Sequence, residues 1–170
     1  MEIVMGPDNV REEMLRRMMT QYKNDLMRMC VACLKDAALA EDAVQETFVK
    51  AYKALDTFRG DSSEKTWLIR IALNTCRNIR RDRWFHFVDR SVATDTLPIQ
   101  AASDEDRALM EAVLNLPYKY KEVVLLYYYQ GLNLKEISEA LGVAASTVST
   151  RLKKAREKLR CELEGGYGHV

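Results

Sequence analysis

A strongly basic stretch near the C-terminus has the residue types and spacing of a nucleic-acid-binding helix. Between residues 146 and 160, Val148, Leu152, Ala155 and Leu159 recur at helical spacing and predict one buried face. Cations pair with phosphates, and short polar side chains near the start of a helix reach base edges in a DNA major groove. The other positions carry hydroxyls and cations, apart from the acidic residue Glu157. The residues with hydroxyls or cations are Ser146, Thr147, Ser149, Thr150, Arg151, Lys153, Lys154, Arg156, Lys158 and Arg160.

The residues before this stretch predict a second, shorter helix. Ile137, Leu141 and Val143 continue the apolar pattern, and Gly142 can adopt the positive φ that a tight turn between helices needs. Residues 134 to 160 therefore predict a helix-turn-helix that binds DNA, although an ordinary helical hairpin with a solvated basic face fits the same pattern. Since no capping residue type stands at 143 to 145, either Ser146 caps the second helix late or its first turn is poorly capped.

The composition limits the remaining classes of function. The chain has 170 residues, 48% of them hydrophobic, and a formal charge of only +1, so affinity for nucleic acid must come from local segregation of charge. Acidic residues cluster at 36 to 46 and 104 to 106, and basic residues cluster at 77 to 83 and in the C-terminal helix. Because the sequence has neither a membrane-spanning apolar run nor a signal peptide, we expect a cytoplasmic protein with no membrane contact of its own.

Catalytic and metal-binding motifs find no support in the sequence. His86 and His169 are far apart, and no Gly-rich phosphate loop, nucleophile elbow or carboxylate cluster is present, so we expect no enzyme activity, no cofactor and no metal. Cys30 and Cys33 form a CxxC pair, but they share one face of an apolar helical segment without a matching second pair. Core packing is the preferred interpretation of this pair, and a thiol sensor is the alternative.

Helical periodicity runs through most of the chain and predicts an all-α fold of two small helical domains. The predicted helices span residues 10–34, 38–55, 64–83, 105–114, 119–130, 134–141 and 146–163. Residues 86–104 lose this period, contain Pro98 and are polar, which is typical of a flexible linker. The predicted division is therefore residues 1–85, the linker 86–104 and residues 105–170.

Two motifs in the first domain have polar faces that suit binding. In AEDAVQETFVKAY (40–52), the pattern turns acidic and amide side chains outward from an apolar stripe. In FRGDSSEKTWLIRIALNTCRNIRRDR (58–83), a hydroxyl-rich loop precedes a helix that ends in arginines. Such a loop and helix can hold an unstacked base and its backbone, although a solvated face is the plainer alternative. Trp67 fits a core position as well as a binding one.

These motifs, in this order, resemble bacterial RNA polymerase sigma factors of the extracytoplasmic-function group. The resemblance rests on AEDAVQETF, FRGDSSEKTWLIRIALNT and LPYKYKEVVLLYYYQGLNLKEISEALGVAASTVSTRLKKAREKL, and it covers roughly residues 25 to 163. It implies a minimal sigma factor with conserved regions two and four, which binds core RNA polymerase, recognises the −35 and −10 promoter elements and promotes promoter opening. It also implies regulation by an anti-sigma factor.

The resemblance further implies roles for individual residues. Core polymerase contacts are expected at Asp42, Gln45 and Glu46. Contacts to the −10 element are expected at Arg59, Ser62, Ser63, Lys65, Asn74, Arg77, Asn78 and Arg81. Contacts to the −35 element are expected at Ser146, Thr147, Ser149, Thr150, Arg151, Lys153 and Lys154. Many relatives carry a cation where this chain has Ser149, so the resemblance does not imply which −35 sequence is read.

A regulator that binds DNA without polymerase is the main alternative. A dimeric helix-turn-helix protein would protect paired half-sites about one helical turn apart, and residues 20 to 85 would then serve sensing or dimerisation. A footprint on duplex DNA in the absence of polymerase distinguishes the two functions.

Overall fold

The computed structural model describes residues 6–85 and 103–166, and these residues form an all-α structure, as predicted. The helices are α1 (Pro7–Leu34), α2 (Ala37–Ala54), α3 (Glu64–Phe85), α4 (Asp104–Asn115), α5 (Tyr118–Val124), α6 (Leu134–Leu141) and α7 (Ala145–Gly166). Each corresponds to a helix predicted from periodicity, with ends shifted by a few residues, except that α5 covers only the first part of the predicted helix 119–130. Most of the predicted linker, residues 86–102, lies outside the described residues.

Local sequence signals explain where several helices begin and end. Pro7 occupies the first turn of α1, and Lys35 ends this helix in the left-handed conformation with φ of 53°. Asp36 then caps α2, because its carboxylate accepts a hydrogen bond from the Leu39 backbone N–H at 3.0 Å. Ser103 caps α4 in the same way, and the acidic residues that follow it interact favourably with the positive end of the helix dipole.

Helices α1, α2 and α3 pack together around an apolar core in the N-terminal half. The predicted inner face of α2 is buried, including Ala43, Val44 and Phe48. On α3, the fully buried apolar side chains are Leu68, Ile69, Ala72, Leu73 and Cys76. The core thus fixes which faces of α2 and α3 remain available to a partner.

Helices α4 to α7 form the C-terminal half, in which α7 packs against α4, α5 and α6. The predicted helix 119–130 is split: α5 continues into a π-helical turn at Leu125–Tyr129. This turn leaves Tyr127, Tyr128 and Tyr129 exposed in succession, whereas Gln130 is buried. The π-helical turn was not predicted, since apolar residues continue through it without a break.

The two halves contact each other within the described residues. Helix α3 packs against α6, and α1 contacts α5. Polar bonds also cross between the halves, including one from Lys65 Nζ to the Gln130 carbonyl oxygen at 2.9 Å. Sequence periodicity predicts two helical domains, but it does not predict that they pack against each other.

Candidate nucleic-acid interface

The helix-turn-helix geometry predicted for α6 and α7 is present. Ile137, Val148 and Ala155 are fully buried, so the apolar stripe of α7 faces the preceding helices. Gly142 ends α6 with φ of 67°, the left-handed conformation that the turn was expected to require. Helix α7 begins at Ala145, so the residue before it is Ala144, which has no side-chain acceptor and leaves the first turn without that type of cap.

The face of α7 opposite this stripe carries the residues expected to read DNA. Ser146, Ser149, Thr150, Lys153 and Lys154 are exposed, and Thr147 and Arg151 are half-buried. An open groove of about 290 Å³ follows the first turns of α7 and is lined by Thr147, Thr150, Arg151, Lys154 and their neighbours. These hydroxyls and cations sit together on one side of one helix, which suits contact with phosphates and base edges.

Arg151 differs from its neighbours because it contacts a buried carboxylate. Its Nη1 atom lies 3.6 Å from Oε1 of Glu122 on α5. Arg77 on α3 binds the same carboxylate, with its Nη2 atom 3.2 and 3.0 Å from the two Glu122 oxygens. Glu122 therefore brings together one arginine expected at the −10 element and one expected at the −35 element.

The electrostatics around Glu122 reflect two opposing effects. The residue is only 3% exposed, and burial raises the pKa of its carboxyl group. Arg77, Arg151 and Arg80 oppose this effect, since nearby positive charges stabilise the ionised form. Sequence reasoning missed Glu122, although a single carboxylate beside the apolar run from 123 to 126 was a usable signal.

The loop before α3 is held in place by its aromatic residue and its caps. The rings of Phe58 and Trp67 lie 4.7 Å apart, and Trp67 packs against the core, which favours its interpretation as a core residue. Ser63 accepts a hydrogen bond from the Thr66 backbone N–H at 3.1 Å, so its hydroxyl helps to start α3. Arg59 is exposed and Ser62 is half-buried in the same loop.

The residues of α3 expected at the −10 element fall into two groups. Asn74, Asn78 and Arg81 are exposed along the helix. Lys65 and Arg77 are half-buried, and both bind groups of the C-terminal half. Helix α3 thus presents some of these side chains to solvent and holds others against α5 and the π-helical turn.

The residues of α2 expected at the polymerase form one exposed patch. Asp42, Gln45 and Glu46 are all exposed and follow one another at helical spacing. Glu46 also pairs with Lys50 one turn further along, at 2.6 Å. This patch faces away from the buried Ala43, Val44 and Thr47, so a partner can reach it without disturbing the core.

Comparison with known proteins identifies the family. Residues 18–86 match the family described as Sigma-70 region 2, and residues 106–159 match Sigma-70, region 4. The ECF RNA polymerase sigma factor SigW of Bacillus subtilis is 35% identical over 158 residues, covering 84% of each chain. The chain belongs to the extracytoplasmic-function group of RNA polymerase sigma factors. This sigma factor therefore binds core RNA polymerase, recognises promoter DNA and promotes the initiation of transcription.

Other relatives agree with this assignment. The ECF RNA polymerase sigma factor SigL of Mycobacterium tuberculosis is 31% identical to this sigma factor over 169 residues, covering 95% of each chain. Among solved structures, CnrH in complex with the cytosolic domain of CnrY is similar at a TM-score of 0.71 and 25% identity, covering 91% of this chain and 90% of that one. The structure of RpoE from Bartonella quintana shares the fold at a TM-score of 0.78 and 24% identity, covering 89% of this chain and 98% of that one.

The cysteines of the sigma factor do not form an accessible thiol pair. Cys30, Cys33 and Cys76 are buried, and Cys161 is exposed. Burial raises the pKa of Cys33 to about 12, so its thiol remains protonated at neutral pH and reacts slowly. Core packing thus describes Cys30 and Cys33 better than a thiol sensor does.

Among the described residues we also looked for metal-ligating clusters and for helices that could span a membrane. No group of three metal-ligating side chains comes together among them. None of the helices in the described part of the chain is both long and apolar enough to cross a membrane.

Proposed function

We propose that this sigma factor divides its work among three surfaces on different helices. Asp42, Gln45 and Glu46 on α2 bind the core polymerase. The loop at 58–63 and helix α3 bind the −10 element, and the exposed face of α7 binds the −35 element. The observation that carries this proposal is the polar face of α7, whose hydroxyls and cations lie opposite a fully buried stripe at Val148, Leu152 and Ala155.

The α2 patch suits a protein partner because it is polar, exposed and supported by a rigid core. Gln45 offers amide donors and an acceptor, and Asp42 and Glu46 offer carboxylates to a basic partner surface. Its place on a different helix from the DNA-facing cations means that the two binding activities can be separated by substitution.

The −10 contacts combine the loop with the polar face of α3. Arg59, Ser62, Ser63 and Lys65 come from the loop and the first turn of α3, and Asn74, Arg77, Asn78 and Arg81 follow along the helix. Side chains that bind unstacked bases offset the cost of a few kcal/mol for opening a base step. Strand opening then follows from differential binding, and this sigma factor supplies no catalytic group of its own.

The −35 contacts come from the first three turns of α7. Lys153 and Lys154 are placed to bind phosphates, and Arg151 to bind a phosphate or a guanine edge. The hydroxyls complete this surface: Ser146, Thr147, Ser149 and Thr150.

We further propose that residues 1–85 form the region-two domain and residues 105–170 the region-four domain, joined by residues 86–104. We also propose that the protein acts in the cytoplasm, where polymerase and promoter are found. An anti-sigma factor is the proposed regulator, since the similar CnrH was solved in complex with the cytosolic domain of CnrY. Co-purification from the native host tests this partner, and recovery of polymerase without any sequestering protein under varied growth conditions would contradict it.

In-vitro transcription tests the surface assignment. Purified core polymerase is supplied with a fragment library of the host genome, with and without this protein. We expect discrete transcripts only in its presence, and loss of those transcripts with the double variant Gln45→Ala and Glu46→Ala. Binding to core polymerase is measured in parallel by fluorescence anisotropy, where the same variant should lose at least tenfold in affinity, about 1.4 kcal/mol.

The matched control is the double variant Glu12→Ala and Glu13→Ala, which changes two exposed polar residues on α1 instead. It should transcribe as the unchanged protein does. Equal affinity of the α2 variant and this control for core polymerase would show that the α2 patch is not the polymerase contact. A footprint on duplex DNA without any polymerase-dependent transcript would instead favour the stand-alone regulator.

A further inference from the structure

The loop of residues 58–63 begins beside an arginine of α1. Arg11 Nη1 lies 3.2 Å from Oδ2 of Asp56, and Arg11 Nη2 donates a hydrogen bond to the Tyr52 carbonyl oxygen at 3.1 Å. The Arg11 guanidinium also lies 4.9 Å from the centre of the Tyr52 ring, within the range of a cation–π interaction. These three contacts tie the chain just before the loop to α1.

The end of the same loop is held by a second arginine of α1. Arg17 donates to both carboxylate oxygens of Glu64, the first residue of α3, at 3.0 and 2.5 Å. Two parallel hydrogen bonds between a guanidinium and a carboxylate fix direction as well as distance. Arg11 and Arg17 lie six residues apart on one helix, about 9 Å along its axis. Helix α1 therefore sets the positions of both ends of the loop.

The loop has little support between these two attachments. Among the described residues, no backbone acceptor binds the N–H groups of residues 59–62. Gly60 adopts a φ of 76°, and a Cβ added there would meet open space within 4 Å. Because unpaired and unpacked backbone keeps much of its conformational freedom, the loop depends on its ends to limit the conformations it adopts.

The two arginine pairs are too exposed to serve mainly as a source of stability. The side chains of Arg17 and Glu64 are 50% and 24% exposed, and those of Arg11 and Asp56 are 30% and 69% exposed. Water screens ion pairs with this much exposure, so they contribute little to the stability of a folded protein. Their placement at the two ends of one loop indicates a role in the geometry of that loop.

We propose that Arg11 and Arg17 position the 58–63 loop for the −10 element without contacting DNA themselves. By fixing both ends of the loop, they hold its polar side chains in one arrangement before an unstacked base arrives. A preorganised loop loses less conformational entropy on binding, so affinity rises without any additional contact. The proposal rests on the proposed function of this loop at the −10 element.

Binding of the holoenzyme to two DNA probes tests the proposal. Core polymerase carrying this sigma factor is titrated with a single-stranded oligonucleotide that has the non-template −10 sequence of a promoter mapped by in-vitro transcription. The −35 duplex of the same promoter is titrated separately. We expect Arg11→Gln and Arg17→Gln each to lower the affinity for the single strand on the order of tenfold. Affinity for the −35 duplex and for core polymerase should be unchanged, because both substitutions leave α7 and the α2 patch intact.

Tryptophan fluorescence of the free protein reports on the loop itself. The rings of Phe58 and Trp67 lie 4.7 Å apart, so movement of the loop changes the surroundings of Trp67. The chain has two tryptophans, and Trp84→Phe leaves Trp67 as the only one. In that background, acrylamide quenching should increase with Arg11→Gln and with Arg17→Gln. The midpoint of urea unfolding should change little, so loss of the fold would not explain the increase.

Two further variants separate the position of the loop from the charge of α1. Arg16→Gln removes the same charge from the neighbouring exposed position, and it should change neither the affinity nor the quenching. Arg17→Glu combined with Glu64→Arg rebuilds the ion pair in reverse, and it should recover most of the affinity that Arg17→Glu alone loses. Failure to recover would mean that Arg17 acts through its own contact with DNA, which would overturn the proposal.

Unchanged affinity for the single strand in both Arg11→Gln and Arg17→Gln would also overturn the proposal. Equal losses for the two DNA probes would do the same, because they would indicate a general effect on structure.

The proposed function of the loop is tested separately with the double variant Arg59→Ala and Ser62→Ala, which removes side chains expected at the −10 element. If this variant loses affinity for the single strand while the α1 variants do not, the proposed function stands and only the role of the arginines is overturned. If this variant binds the single strand normally, the assignment of the loop fails, and the role of the arginines fails with it.

Discussion

Cations on the two proposed DNA-binding helices differ in how readily they can reach a phosphate. Lys153 and Lys154 are exposed on α7, whereas Arg77 and Arg151 share the buried carboxylate of Glu122. A cation held by a buried partner must give up that partner to bind DNA, while an exposed lysine gives up only water. The lysines should therefore dominate binding of α7 to duplex DNA.

Replacing both lysines tests this difference at the scale of single residues. Lys153→Ala with Lys154→Ala should lower the slope of log K against log salt by about 1.8, because each lost phosphate contact contributes about 0.9. Fluorescence anisotropy with a −35 duplex at several salt concentrations measures this slope. Binding to core polymerase should be unchanged, since the proposed polymerase contact lies on α2.

The control for that experiment is Arg16→Ala with Lys23→Ala, which removes two exposed cations from α1. An equal fall in slope for this control would mean that the effect reports net charge rather than contact through α7.

At the scale of elements, helix α6 depends on its ends more than on its length. It spans only Leu134–Leu141, which is too short to be stable alone. Asn133 caps it by accepting from the Glu136 backbone N–H at 2.9 Å, and the Glu136 carboxylate accepts from the Asn133 backbone N–H at 2.8 Å. Since α6 packs against α7, this capping box helps to hold the proposed DNA-binding helix in place.

Loss of that cap should be measurable as a loss of stability. We expect Asn133→Ala to lower the free energy of unfolding by about 1 kcal/mol, because it leaves backbone donors of the first turn unpaired. Urea denaturation followed by circular dichroism measures this change. Lys135→Ala, an exposed substitution in the same helix, serves as the comparison and should change stability by less than about 0.5 kcal/mol. Equal values for the two variants would contradict a stabilising role for the cap.

At the scale of the whole molecule, folding buries ionisable groups whose burial the neighbouring residues in the sequence do not predict. Lys121 on α5 is 5% exposed, and burial together with the nearby Lys35 lowers its pKa to about 8. Lys35 belongs to the N-terminal half, so this shift depends partly on contact between the halves. At neutral pH Lys121 is charged in both the folded and the unfolded states, so the burial of its charge lowers the stability of the folded protein.

Lys121 should therefore make stability rise with pH. Between about pH 8 and 10.5 the folded protein has lost the Lys121 proton while the unfolded chain retains it, so this group's contribution increases by up to about 3 kcal/mol. Lys121→Met should remove the dependence and stabilise the protein at pH 7. Urea denaturation of both proteins from pH 7 to 10 measures the difference.

The relevant quantity is the difference in the free energy of unfolding between the unchanged protein and Lys121→Met, because other ionisable groups change stability with pH in the opposite direction. Burial raises the pKa of Tyr118 and of Cys33, so the unfolded chain releases these protons first and stability falls as pH rises. Lys135→Met, at an exposed position, is the control and should show the pH dependence of the unchanged protein. Identical curves for the unchanged protein and Lys121→Met would contradict the shifted pKa of Lys121.

The sequence by itself determined the helices and the faces they bury. The period of Val148, Leu152 and Ala155 predicted the inner stripe of α7, and Gly142 predicted the turn before it; both are confirmed. The motif order indicated the sigma-factor family, which the comparisons confirm. These properties were predictable because helical periodicity, turn conformation and motif order depend on residues close together in the chain.

Only the tertiary structure decided how the halves meet and which of the proposed binding residues are engaged. Arg77 and Arg81 look equivalent in the sequence, yet Arg77 binds Glu122 from 45 residues away and Arg81 is exposed. The burial of Glu122 and Lys121, and the π-helical turn before Gln130, likewise follow from packing around α5. The physical reason is that a side chain's charge partners and solvent exposure depend on elements brought together by folding, which local periodicity does not encode.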